Sequence, residues 1–216
     1  MAGTPAYTTT VKMTGTATSM SSEAMSTNST VSNTYQVTDA TKRILARAVS
    51  VVFSEASTAS TSGRANIPAS DITSIDYLFG KVTFASTQAE PIKVTASYLP
   101  AAVVAGGHSY SMTMNAELPD DTDFSTTGWR SRTPGLKDVG LSISRFDSVD
   151  LNFHNLINSG SPAVVEIRPG GTGDAARGYF LIESEGRSGD VSALEVSELS
   201  FQLDESSLAD FGWGTP

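Results

Sequence analysis

The sequence predicts a mostly β fold, an antiparallel β-sandwich or barrel with one short flanking α-helix at about residues 147–159. Three observations predict it. Stretches in which apolar and polar residues alternate recur along the chain, as in strands with one buried face. Clusters of Gly, Pro, Ser, Thr and Asn separate them and suit turns. One confident helical spacing occurs, without the strand–helix rhythm of a parallel sheet. At 216 residues, 39% of them hydrophobic, the chain is long enough to bury a core and is not composed like a disordered one.

Residues 1–38 are Thr/Ser-rich, with Lys12 and Glu23 their only charges. Thr8–Met13 suits a strand, and Ser19–Asn33 reads as a long polar loop. Residues 39–104 form a hairpin-rich part. Thr34–Thr38 and Ala48–Phe53 read as strands, separated by a possible helical turn over Asp39–Arg47. Ser57–Ser70 reads as a loop. Ile75–Phe84 is the clearest hairpin, with Gly80 supplying the left-handed backbone of its turn. Ile92–Tyr98 follows as a strand, and Pro100–Gly107 is a candidate boundary.

Residues 105–205 are expected to be the sandwich core. Tyr110, Met112, Met114, Ala116 and Leu118 alternate with polar residues, which predicts a strand with that face buried. A long connection, Pro119–Gly135, carries Phe124 and Trp129 amid charges. Val139, Leu141 and Ile143 alternate again. Val149, Phe153, Leu156 and Ile157 share one helical face, with Asp147 or Ser148 as cap and Gly160 and Pro162 as stop. Strands resume at Ala163–Arg168, Gly178–Glu185 and Glu195–Leu203, the first two joined by the glycine-rich Pro169–Asp174. Residues 206–216 read as a tail, whose Phe211 and Trp213 have no local pattern to bury them.

Composition excludes several chemistries. The chain has no cysteine, hence no disulfide framework, thiolate metal site or cysteine nucleophile. His108 and His154 fall in no metal-binding or catalytic spacing and read as a strand-edge and an exposed helical histidine. No nucleophile elbow occurs. The glycines of 170–178 lack the Lys-Ser/Thr of a phosphate loop. Asp120, Asp121 and Asp123 fail the EF-hand pattern at Thr126 and Arg132. Glu183 and Glu185, two apart on a strand, are expected to share a solvated face. No cofactor is expected, and no enzyme activity.

The formal net charge is −9, and it is unevenly placed. Residues 1–105 hold seven basic and six acidic residues, whereas 106–216 hold seven basic and seventeen acidic ones, a net −10. Basic residues are scattered, which argues against a nucleic-acid grip. No apolar run has membrane-spanning length, and Met1–Tyr7 lacks the regions of a signal peptide. No membrane partner is expected.

Trp129-Arg130-Ser131-Arg132-Thr133-Pro134-Gly135-Leu136-Lys137-Asp138, followed by a strand and Arg145-Phe146-Asp147, resembles the W-R-x-R-x-P-G-L-K-D segment preceding a short helix in the major tail, or tail tube, proteins of siphophages. Ile75–Phe84 resembles a hairpin of phage virion proteins, Tyr98-Leu99-Pro100 is similar, and Glu198–Gln202 resembles that family's last strand. The similarities cover residues 75–203 in order. The resemblance implies a structural virion protein made in a bacterial cytoplasm. It would assemble with itself into stacked hexameric rings, a conduit through which DNA passes without specific binding. Tape-measure, tail-terminator and distal-tail initiator proteins would be its partners.

On this reading Phe124, Trp129, Arg130 and Arg132 are candidate interface residues, with Trp129 as a plug of its own core the alternative. Glu117, Glu183, Glu185 and Glu195 are candidate lumen-lining residues. A capsid decoration or tail-terminator subunit, or a carbohydrate-binding β-sandwich, is the rival reading.

Overall fold

The computed structural model describes residues 8–27, 33–56, 64–88, 90–122, 129–146, 152–190, 192–204 and 211–216. It forms two compact units. The first comprises 1–104, 163–179 and 204–216, and the second 105–162 and 180–203. The chain thus leaves the first unit, builds most of the second, returns, enters the second again and ends in the first.

In the first unit β1 (Thr10–Thr14), β2 (Thr18–Thr27), β3 (Thr34–Val37), β4 (Val52–Ala56), β5 (Arg64–Asn66), β6 (Ile72–Asp76), β7 (Lys81–Phe84), β8 (Lys93–Tyr98) and β9 (Ala101–Val103) follow in order. Seven of them form one sheet, β5-β4-β8-β2-β3-β7-β6. Its buried residues include Met20, Met25, Tyr35, Val37, Phe53, Val82, Phe84 and Val94. Phe84 is the hub: its ring lies 5.6 Å from that of Tyr35 and 5.7 Å, edge-on, from that of Phe53. Burial of such rings is the main favourable term here.

The hairpin of β6 and β7 turns as its sequence predicts. Asp76 Oδ1 accepts from the backbone N–H of Leu78 and Phe79, both at 3.1 Å. Gly80 has φ +61°, and a Cβ there would stand 2.6 Å from the Arg43 carbonyl oxygen, so the turn requires glycine twice over. The helical turn expected after Asp39 is a 3-10 turn, Ala40–Lys42, capped by the Asp39 carboxylate.

The long polar loop expected over 19–33 is instead largely strand β2. Met20 and Met25 are both buried yet lie five residues apart, an odd spacing that a regular strand would send to opposite faces. A register shift between Met20 and Glu23, with Ser22 at φ +54°, absorbs the extra residue. That irregularity hid the alternation.

The returning segments are β12 (Ala163–Arg168), the first part of β13 (Ala175–Ser188) and β15 (Phe211–Gly214). β1 runs antiparallel between β12 and β9, and β15 pairs with Ala175–Gly178 of β13. The expected tail is therefore partly a strand, and its Phe211 is half-buried. Tyr179 donates to the Leu45 carbonyl at 2.6 Å beneath the Arg47 guanidinium, and burial pushes its phenol up to about 12.

The second unit is a four-stranded antiparallel sheet, β10 (Gly107–Ala116), β11 (Lys137–Phe146), β14 (Val196–Leu203) and the remainder of β13, ordered β10-β11-β14-β13. Val139, Leu141, Ile143, Leu199 and Phe201 are buried on one face. Helix α1 (Asn152–Ser159) lies on that face, since the buried Phe153 ring sits 4.2 Å under the guanidinium of the buried Arg145. The expected caps, Asp147 and Ser148, lie outside the described residues, as does Val149. His154 is exposed, and His108 stacks on Phe146 at 4.6 Å.

Candidate assembly surface

Three features of the second unit present chemistry to its surroundings. The first is the edge strand. β10 ends the sheet order, so among the described residues only its β11 side is paired. Tyr110, Met112 and Met114 stand opposite Ile143, Leu141 and Val139. The β11 residues are buried, but Tyr110 is 37% and Met114 62% exposed. The face expected to be buried therefore is not: the apolar row runs past the cover at the sheet's last strand. Long, straight, apolar edges recruit other strands, and folded chains normally block them.

The second is the arm that continues from β10 and β11. The described ends of the expected loop Pro119–Gly135, residues 119–122 and 129–135, are stapled to each other. Glu117 N–H donates to the Leu136 carbonyl and Gly135 N–H to the Glu117 carbonyl, both at 2.8 Å. Thr133 N–H reaches the Pro119 carbonyl at 3.2 Å, and Asp121 N–H the Ser131 carbonyl at 3.1 Å. A Cβ on Gly135 would lie 3.1 Å from Glu117 Cβ and from Pro119 Cδ, so this close approach favours glycine.

The arm's acidic residues hold it in shape. The Asp120 carboxylate accepts from the Thr122 hydroxyl and from its N–H, and the Asp121 carboxylate from the Thr133 hydroxyl. Both carboxyls titrate below the ordinary range, chiefly through these hydroxyl donors. Along the arm Leu118, Trp129 and Leu136 are exposed, Trp129 at 83%. Trp129 therefore does not plug the core of its own unit. Arg130 lies 3.9 Å from Asp120 in the same arm, and Arg132 faces Asp120 across it. Phe124 lies outside the described residues.

The third is the polar face of the sheet, opposite α1. Cross-strand register places Ser111, Ser142, Ser200 and Ser184 in one row. Adjacent rows hold Ser109, Ser144 and Glu198, then Thr113, Gly140 and Gln202. Asn115 and Asp138 pair beyond them. By strand alternation this face carries the carboxylates of Asp138, Glu183 and Glu198 and no Lys or Arg.

The sequence-derived carboxylates divide. Glu183 is on the polar face, its carboxylate 3.3 Å from the Gln202 amide. Glu117, one residue beyond β10, falls on the same side by alternation. Glu185 does not. It is 8% exposed on the helix side, 3.8 Å from Arg145 and 3.1 Å from Arg187. A bulge between Ile182 and Ser184 inserts Glu183 and separates the two glutamates, which strict alternation would have kept together. Glu195 precedes β14, exposed beside Gly189. Sequence reasoning missed Asp138 and Glu198, although counting outward from the buried Val139 and Leu199 finds both.

No protein-family model matches the sequence, and no curated protein does. Among solved structures, part of the chain is similar to a chain in the tail of an empty gene transfer agent particle, reconstructed with helical refinement and C6 symmetry. The TM-score is 0.47 with 17% identity, over 54% of this chain and 87% of that one. It is also similar to a chain of the native gene transfer agent virion, with TM-score 0.45 and 20% identity, over 51% of this chain and 88% of that one. Both likenesses are partial and concern the fold.

Proposed function

We propose that this protein is a structural virion protein, a tail tube subunit that builds stacked hexameric rings around a conduit for DNA, and that it has no catalytic role. The observation that carries the reading is the open edge of β10, with Tyr110 and Met114 uncovered beside a covered row. A neighbouring copy that adds a strand there satisfies the unpaired backbone and covers the apolar row in one step. The arm, with Leu118, Trp129 and Leu136 on a stapled frame, is the second contact, to a neighbouring subunit or ring.

In a closed ring the polar face lines the bore. DNA is a dense line of negative charge, and basic residues there would hold it through counterion release. A wall of hydroxyls, amides and carboxylates does not. Glu117, Asp138, Glu183 and Glu198 repel the phosphates over a range of about one Debye length, ~8 Å in physiological salt.

The test is Met114→Lys, a charge of the kind that blocks sheet edges. By mass photometry and negative-stain microscopy the unaltered protein forms rings or tubes at high concentration or with a tail initiator. The variant stays monomeric with an unchanged circular dichroism spectrum. A wild-type chain that remains monomeric under every condition overturns the reading.

A further inference from the structure

We propose that the first unit contains a binding site for a small tetrahedral oxyanion, of the phosphate or sulfate class, in the cavity between β1, β12 and β13. This does not rest on the proposed role in a tail. The cavity measures about 310 Å³ and is lined by Lys12, Thr41, Tyr98, Glu166, Arg168 and Arg177, among others. Its charge is unbalanced. Glu166, 1% exposed, is approached by three cations: Arg177 at 2.5 Å, Lys12 at 3.2 Å and Arg168 at 3.2 Å. Among these four side chains one carboxylate faces three cations, an excess of two positive charges, while Pro216, also on the wall, accepts from Arg43.

The cations are not equally committed. Arg177 is spent: its Nε and Nη2 donate to Glu166, its Nη1 donates to the Leu78 carbonyl at 2.6 Å, and its guanidinium lies 5.1 Å from the Phe79 ring centre. Arg168 gives one Nη2 bond to Glu166 at 3.2 Å, while its Nε is buried with no hydrogen-bond partner. A buried donor without an acceptor is unfavourable, so an acceptor that reaches it would be favoured. Lys12 meets Glu166 through one contact and is partly exposed, with further donor capacity for an incoming anion. Thr41 and Tyr98 also line the cavity, the Thr41 hydroxyl already donating to Asp39.

A carboxylate or halide satisfies fewer of these donors than a tetrahedral oxyanion, which offers acceptors in several directions. Glu166 does not neutralise to relieve the site. Burial pushes its carboxyl up, but Arg177, Lys12 and Arg168 outweigh burial and hold it below its ordinary value. These four side chains therefore keep Glu166 ionised with two cations in excess, a balance that an added anion would improve.

The experiment titrates inorganic phosphate, and in a second arm sulfate, into the full chain at constant ionic strength with chloride as the balance. Isothermal calorimetry and thermal melting provide the readouts. Saturable binding is expected, with a melting temperature that rises with the logarithm of phosphate above the dissociation constant. Lys12→Gln, at a partly exposed position, should keep the fold and weaken binding about tenfold, as loss of one charge-assisted hydrogen bond does. Lys137→Gln, in the second unit, should leave binding unchanged. Absence of binding heat with equal melting in phosphate and chloride overturns the proposal. So does equal affinity of the wild type and Lys12→Gln. Equal binding of phosphate and sulfate supports the general oxyanion class.

Discussion

Strands β2 and β10 are each ten residues long, and each is rich in Ser, Thr and Met. β2 alternates poorly, yet it buries Met20 and Met25 in the core of the first unit. β10 alternates cleanly, yet both its faces are exposed. The difference is position: β2 lies between β8 and β3, whereas β10 is an edge. Alternation shows that a strand has two chemically distinct faces. It does not show that the same chain covers the apolar one. An apolar face maintained without cover costs solubility, and the assembly proposed above would account for it.

Truncating the covered row in the first unit should have the largest effect. Phe84→Ala removes the ring that Tyr35 and Phe53 pack against, and should cost about 3–5 kcal/mol by urea unfolding. A cost below about 1 kcal/mol would mean that this unit is no better packed than the β10 edge.

An intermediate effect concerns acid. Glu166 titrates below its ordinary value in the folded chain, so its contribution to stability is fully present above the unfolded carboxylate pKa. It is lost as the pH falls from that value through the folded one. Melting temperatures from pH 7 to pH 3 should drop on this limb, and Glu166→Gln should flatten it while lowering stability at neutral pH. An unchanged acid limb in the variant would place the acid sensitivity elsewhere.

The smallest effect belongs to the edge. Met114→Ser should alter monomer stability by no more than about 0.5 kcal/mol, as at other exposed positions. A loss of 2 kcal/mol in urea titration of the monomer would show that the chain does cover β10, and the contrast with β2 would collapse.

The mostly β class, the single short helix and the hairpin at Gly80 were all legible, because each depends on local periodicity or on one residue with special backbone freedom. Two kinds of information were not. Bulges at Ser22 and Glu183 shift the phase of a strand without any sequence mark, so β2 reads as loop and Glu185 as a partner of Glu183. Pairing is the other. Nothing local states that Glu117 to Leu136 zip into an arm, or that Phe211–Gly214 returns to β13. Of the candidate site, the acidic character of the second half follows from composition, whereas the sequence left Trp129 between interface and core and the structure shows it exposed. The membership of the polar face required the register.

The bulge in β13 also bears on which insertions and deletions the fold tolerates. Ile182 and Glu185 face the same side although they are three residues apart, because Glu183 is supernumerary between them. Losing Glu183 would leave the flanking residues facing as they do now. Losing Ser184 would do the same, with Glu183 taking its place opposite Ser200, whereas a loss away from the bulge would put part of the paired strand on the wrong side of the sheet. The Glu183–Ser184 bulge is thus where the length of this strand is free to vary by a residue, and a one-codon deletion in β13 is tolerated best there.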